Sequence, residues 1–187
     1  HNNTKRGVRL LCVALALTVV TAVIMPMMHF EGAEIYFGIL HLLSLSMLIF
    51  SALRAGLDKI NPIVGIIICI AIYIFTYGVS AGYVGIAGLK TFNLPAVLYR
   101  TNYFMPLGFF NSSFHSADYF PLLPHLFMFL TGTFVGVYAA NGRFPAFTYR
   151  QRSKALCFLG RHALVIYIAH QPIIYGILWV VEKIIAK

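Results

Sequence analysis

The sequence predicts an all-α integral membrane protein: a bundle of about five transmembrane helices with a cytoplasmic N-terminus and a long aromatic loop on the outer face. Three observations carry this expectation. Of 187 residues, 60% are hydrophobic and only 10% charged, against about 45–50% and about 25% in soluble domains. With a mean hydropathy of +0.83, the chain lacks the charge to cover a water-facing surface. Five apolar runs of about 18 residues or more divide it. Lys and Arg are then distributed unequally between those runs. Composition also excludes disorder, collagen and coiled coil. The net charge of +9, which in a soluble chain would suggest nucleic acid, reports topology here, and no nucleic-acid partner is expected.

The first run, Leu10 to Met28, follows Lys5, Arg6 and Arg9. A basic flank before an apolar stretch also describes a signal peptide, but this run exceeds the usual length of about 7–15 residues and no A-x-A site follows. The second run is Ile35 to Leu53, and the third is Pro62 to Val84, opened by the helix-starting pair Asn61-Pro62. The fourth is Tyr119 to Ala140 and the fifth His162 to Val181. Each reads as a helix, because lipid permits only helices or closed barrels and no period-two alternation is present. Residues 1–187 thus read as one transmembrane domain. The chain opens His1-Asn2-Asn3-Thr4 without an initiator Met, so it is expected to be a fragment lacking preceding spans, or a processed chain.

With the N-terminus inside, the inner segments hold Lys5, Arg6, Arg9, Arg54, Lys59, Arg143, Arg150, Arg152, Lys154 and Arg161. The outer ones hold only Lys90, Arg100, Lys183 and Lys187, whereas four of the five acids, Glu31, Glu34, Asp118 and Glu182, fall outside. That bias places the N-terminus in the cytoplasm and the C-terminus outside.

Residues 86–118 exceed an ordinary connection and carry Phe92, Tyr99, Tyr103, Phe104, Phe109, Phe110 and Phe114. So many aromatic residues argue against disorder. The segment reads as an outer cap, re-entrant or lying in the interface, or as an aromatic belt that anchors the protein. Asn111-Ser112-Ser113 within it has the form of a glycosylation sequon. Cys12, Cys69 and Cys157 are far apart and odd in number, which fits free thiols.

Ionisable groups inside spans are costly and by default point to function. Here they are His41, His125 and His170, with His29 at the outer end of the first run. Counted from the outer ends of their runs, His41 and His125 are each expected roughly 9 Å deep and His170 roughly 17 Å, so the three are compatible with one outer-half cavity. Neutral imidazole suits acyl transfer, as a base or as an acyl carrier, and also suits a proton relay. A ring bonded to a neighbouring helix is the structural alternative for each. No pair has the spacing of a strong metal motif, and no metal is expected. A second cluster is cytoplasmic: Arg150, Arg152, Lys154 and, at the mouth of the fifth run, Arg161. Such residues neutralise phosphates or attract anionic lipid heads.

Four blocks carry a family resemblance: KRGVRLL at 5–11, FGILHLLSLSMLIF at 37–50, DYFPLLPHLFMFLTGTFVG at 118–136 and FLGRHALVIYIAHQP at 158–172. In order and spacing they resemble the bacterial relatives of heparan-α-glucosaminide N-acetyltransferase, which are multi-span transmembrane acyltransferases. The resemblance implies acetyl-CoA or another acyl-CoA as donor, an extracytoplasmic glycan acceptor, membrane lipid as surroundings and a bacterial plasma membrane as location; an oligomer is compatible with it. It also implies that the main catalytic histidine precedes this chain. His41 and His170 are then supporting polar groups of the cavity, and Arg161 a donor-phosphate or structural residue. Where an aromatic residue commonly follows the Pro of the third block, this sequence has His125, which counts against a catalytic role there. The expected function is a membrane-embedded acyltransferase, with Arg150, Arg152, Lys154 and Arg161 on the donor phosphates. A transporter or flippase of a polar glycan or lipid intermediate and a non-catalytic membrane subunit are the rivals.

Overall fold

The computed structural model describes residues 2–27, 32–86, 92–150 and 153–185. They form two units, His1–Gly142 and Arg143–Lys187.

In the first unit, α1 (Asn2–Val19) runs on through a π-helical segment, Val20–Ile24, and a last turn, Met25–Met27. It starts before the apolar run, so Lys5, Arg6 and Arg9 lie on its first turns and not on an irregular flank. Helix α2 spans Ile39–Leu57, four residues later than the apolar run suggested. The backbone of the expected first turn is engaged elsewhere: Ala117 N–H donates to Glu34 O at 2.9 Å and Phe120 N–H to Phe37 O at 3.2 Å. At the other end Arg54 stays helical, 3.4 Å from Asp58 in an exposed pair.

Helix α3 (Pro62–Thr76) opens as its sequence prescribes, with Pro62 in its first turn and Asn61 Oδ1 accepting from Ile63 N–H at 3.0 Å. It stops before Val84. A 3-10 turn at Val79–Ala81 follows, Gly82 turns the chain at φ 87°, and β1 (Tyr83–Val84) pairs antiparallel with β2 (Phe92–Asn93). Helix α4 (Leu122–Ala140) begins after an extended Pro121, and Leu123 departs from helical geometry at φ −95°, ψ 125°. Among the described residues, four helical stretches are long and apolar enough to cross a membrane: Asn3–Met27, Ile39–Leu57, Pro62–Ala81 and Leu122–Ala140. The protein is therefore an all-α integral membrane protein, with one two-stranded ribbon among the described residues.

Helix α1 packs along α2, α3 along α4, and α2 also meets α4. Small residues allow the close approaches, as in other membrane helix pairs. A Cβ at Gly65 would lie 2.6 Å from Phe134 Cζ, and Phe134, Leu130 and Cys69 make the buried centre of the α3–α4 pair. On the opposite side of α3, Ile63, Ile67, Ile70 and Ile74 are exposed at helical spacing, a stripe suited to lipid.

Between α3 and α4 the cap is ordered by aromatic packing and short turns. Phe114 and Phe110 each lie 5.1 Å from Tyr119, Tyr119 Oη donates to Met105 O at 2.7 Å, and Tyr99 Oη donates to Val79 O. The sequon residue Asn111 accepts from Ser113 N–H and Oγ at 3.0 and 2.6 Å, a local turn that ties up its side-chain oxygen.

In the second unit, a 3-10 turn at Ala146–Thr148 precedes α5 (Lys154–Arg161) and α6 (Ala163–Ile185). Ser153 Oγ caps α5 by accepting from Leu156 N–H at 3.3 Å. The fifth apolar run falls on α6, a helix of 23 residues.

Candidate functional site

The mouth of α2 is built around His41. His41 is 5% exposed and stands in the first turn of α2, two residues past Ile39, about 3 Å along the helix. Gly38 N–H donates to Nδ1 at 3.3 Å, so Nδ1 carries the lone pair and Nε2 the proton. That proton faces Thr18 Oγ1 of α1, also at 3.3 Å. Phe37 packs against the ring at 5.5 Å, and Ser44 Oγ donates to the His41 carbonyl at 2.9 Å. Both ring nitrogens are thus engaged inside the protein.

Asp118 completes this mouth from the far end of the cap. Its Oδ2 accepts from Ile39 N–H at 3.0 Å, a carboxylate on the positive end of a helix. Gly38 is needed here because a Cβ would collide with that carboxylate and stand 3.0 Å from its Cγ. On α1, buried Thr21 lies within the π-helical segment and accepts from Ile35 N–H at 3.1 Å. π-Helical turns are frequent at functional positions. Thr18, Thr21 and Asp118 were not singled out in the sequence as site residues. An acid just before an apolar run is a weak signal, and its partner Ile39 lies 79 residues away.

His125 occupies the corresponding place on α4. Its Nδ1 is 3.0 Å from Pro121 O, and since a carbonyl can only accept, Nδ1 carries the proton. The ring is set edge-on between Tyr73, at 6.4 Å and 77°, and Phe120, at 5.5 Å and 74°. It lines a cavity of about 420 Å³ with Tyr77, Ser80, Tyr83, Tyr119 and Pro124. Burial pushes the Tyr119 hydroxyl far above its ordinary range and raises that of Tyr99.

In the second unit, Arg150 and Arg161 line one open cavity of about 780 Å³ together with Phe147, Tyr149, Ser153 and Gly160. Lys154 lies next to Ser153 on α5 but does not line it. Arg152 and His29 fall outside the described residues. His170 sits on α6, exposed, its Nδ1 bonded to Tyr167 O and its ring 5.2 Å from that of Tyr167. Among the described residues no three His, Cys, Asp or Glu side chains gather as a metal site would require.

No curated protein and no solved structure matches the chain. Residues 1–172 match the family described as heparan-alpha-glucosaminide N-acetyltransferase, catalytic. That match covers all four membrane-length helices, the cap, the basic cavity and the helix bearing His170 as far as residue 172. This integral membrane protein therefore belongs to the heparan-alpha-glucosaminide N-acetyltransferase catalytic family, a family of acetyltransferases.

Proposed function

We propose that the chain serves transfer of an acetyl group from cytoplasmic acetyl-CoA to an extracytoplasmic acceptor, a sugar hydroxyl or amine. The supporting observation is the cavity that holds Arg150 and Arg161 beside Phe147 and Tyr149. Two guanidinium groups suit a diphosphate by bidentate bonding, and the aromatic rings suit stacking on a purine. Arg152 and Lys154 add positive charge to the same segment. An anchor on anionic lipid would not require aromatic side chains beside the arginines.

In this reading His41 and His170 are supporting groups. His41 holds the outer mouth of α2 through Gly38 and Thr18, and His170 offers a polar group on α6. Transfer across the membrane, with the N-terminus inside, agrees with ten of fourteen basic residues lying in the inner segments.

The test is acetyl-CoA binding to the full-length protein at low salt, compared with an Arg150→Ala, Arg161→Ala variant. Charged hydrogen bonds contribute about 1.5–3 kcal/mol each, so affinity should fall at least about tenfold. Unchanged affinity would remove this cavity from the donor site.

A further inference from the structure

The cap and the segment leading into α2 form a cavity of about 380 Å³ that the acyl-transfer reading does not use. Glu34 and Tyr36 line it from the segment before α2, and Asn102, Ser113, Phe114 and His115 line it from the cap. All of these residues belong to the first unit, and the volume lies in the range of small-molecule sites. The two stretches are tied together through their backbones: Ala117 N–H donates to Glu34 O at 2.9 Å, and Tyr36 N–H donates to Ser116 Oγ at 3.3 Å.

These bonds leave the lining side chains with unspent chemistry. Glu34 is held through its carbonyl, and its carboxylate has no partner among the described residues. Asn102 Oδ1 accepts from Asn111 N–H at 3.0 Å, which fixes the amide and leaves both Nδ2 protons as donors. The rings of Tyr36 and Phe114 stand 6.1 Å apart. Phe114 is packed against Phe110 and Tyr119, whereas Tyr36 is 42% exposed. No Lys or Arg is among the lining residues.

A carboxylate that only accepts, an amide edge that only donates and an exposed aromatic face complement one kind of ligand: a ring whose hydroxyls do both and whose C–H faces are apolar. Hydroxyls donating to a carboxylate make the stronger, charge-assisted bonds, and a C–H face packs on an aromatic ring. A carboxylate without a neighbouring cation repels an anionic ligand. We infer that this cavity binds an uncharged sugar ring of an extracytoplasmic saccharide, with Glu34 accepting from its hydroxyls, Asn102 donating to them and Tyr36 packing on its C–H face. The side of the membrane follows from the distribution of Lys and Arg, which places the cap and the start of α2 outside. The inference concerns binding alone: it requires neither the donor nor the second unit, and it stands or falls apart from the acyl-transfer reading.

The experiment is saturation-transfer NMR on the full-length protein in lipid nanodiscs without acetyl-CoA. The probes are methyl glucoside, methyl galactoside and methyl mannoside, with glucuronic acid as the anionic counterpart. Wild-type protein should transfer saturation to the ring protons of at least one glycoside and bind glucuronic acid more weakly. Glu34→Gln, which keeps the side chain's size and the backbone bond to Ala117, should weaken glycoside binding about tenfold or more. Tyr36→Ala should weaken it about threefold or more; if that variant does not fold, Glu34→Gln decides alone. No transfer to any of the three glycosides, tighter binding of glucuronic acid, or wild-type affinity in Glu34→Gln overturns the inference. Glycoside binding by a protein that transfers no acetyl group overturns the acyl-transfer reading and supports this one.

Discussion

His41 and His125 stand in the first turns of two membrane-length helices, each with an aromatic neighbour. They differ in how many ring nitrogens the protein consumes. At His41 both are engaged, by Gly38 and Thr18, and a carboxylate braces the helix start beside it. At His125 one is engaged, by Pro121 at the start of the same helix, and the residue lines a cavity. A histidine with both nitrogens bonded inside the protein behaves as part of the scaffold. One bonded to a carbonyl at the start of its own helix is held locally, without tying two helices together. Position in a span, which the two share, does not separate these roles; the bonding of each nitrogen does.

Substituting both residues by Phe is the most forceful way to break that comparison. His41→Phe strands Gly38 N–H and Thr18 in a buried site, and unsatisfied groups of this kind cost about 1–3 kcal/mol each. Thermal unfolding in detergent should show a loss of about 2–4 kcal/mol for His41→Phe and little change for His125→Phe. Equal losses would mean that the two rings are both structural.

A smaller effect is expected from Asp118→Ala, which removes the cap on Ile39 N–H. Loss of such a cap costs about 0.5–2 kcal/mol, and Asp118→Asn, retaining an acceptor, should recover part of it. If His125 belongs to a separate functional region, neither change should alter its reactivity toward diethyl pyrocarbonate.

The smallest effect concerns Tyr119, which ties the cap to the His125 cavity. Its hydroxyl is raised above the ordinary value by burial, so the folded form keeps it neutral. The associated stability is complete below the unfolded tyrosine value of about 10 and declines as pH rises beyond it. Wild-type protein should therefore unfold more readily above about pH 10, and Tyr119→Phe should lose about 1 kcal/mol at neutral pH but show a shallower alkaline decline. An identical decline in both would assign it to other groups.

Much of this was legible in the chain. Asn61-Pro62 announced the start of α3, because capping chemistry is local. Four of the five apolar runs fall on the helices that, among the described residues, are long and apolar enough to cross a membrane. Of the basic cluster read in the chain, Arg150, Arg152, Lys154 and Arg161, the structure brings Arg150 and Arg161 to one cavity that Lys154 does not line, while Arg152 lies outside the described residues. Helix α2 was displaced by four residues because Glu34 and Phe37 bond to the cap, and that competition is invisible to a pattern based on hydrophobicity.

By itself the sequence determined the solvent, the helical class and the family, since 60% apolar content and span-length runs leave lipid no other solution. Tertiary structure alone decided the state of each histidine. A ring nitrogen is engaged or open according to what lies within about 3 Å of it, and those neighbours, Thr18 on another helix for His41 and the Pro121 carbonyl for His125, are set by packing and backbone geometry that no spacing in the chain encodes.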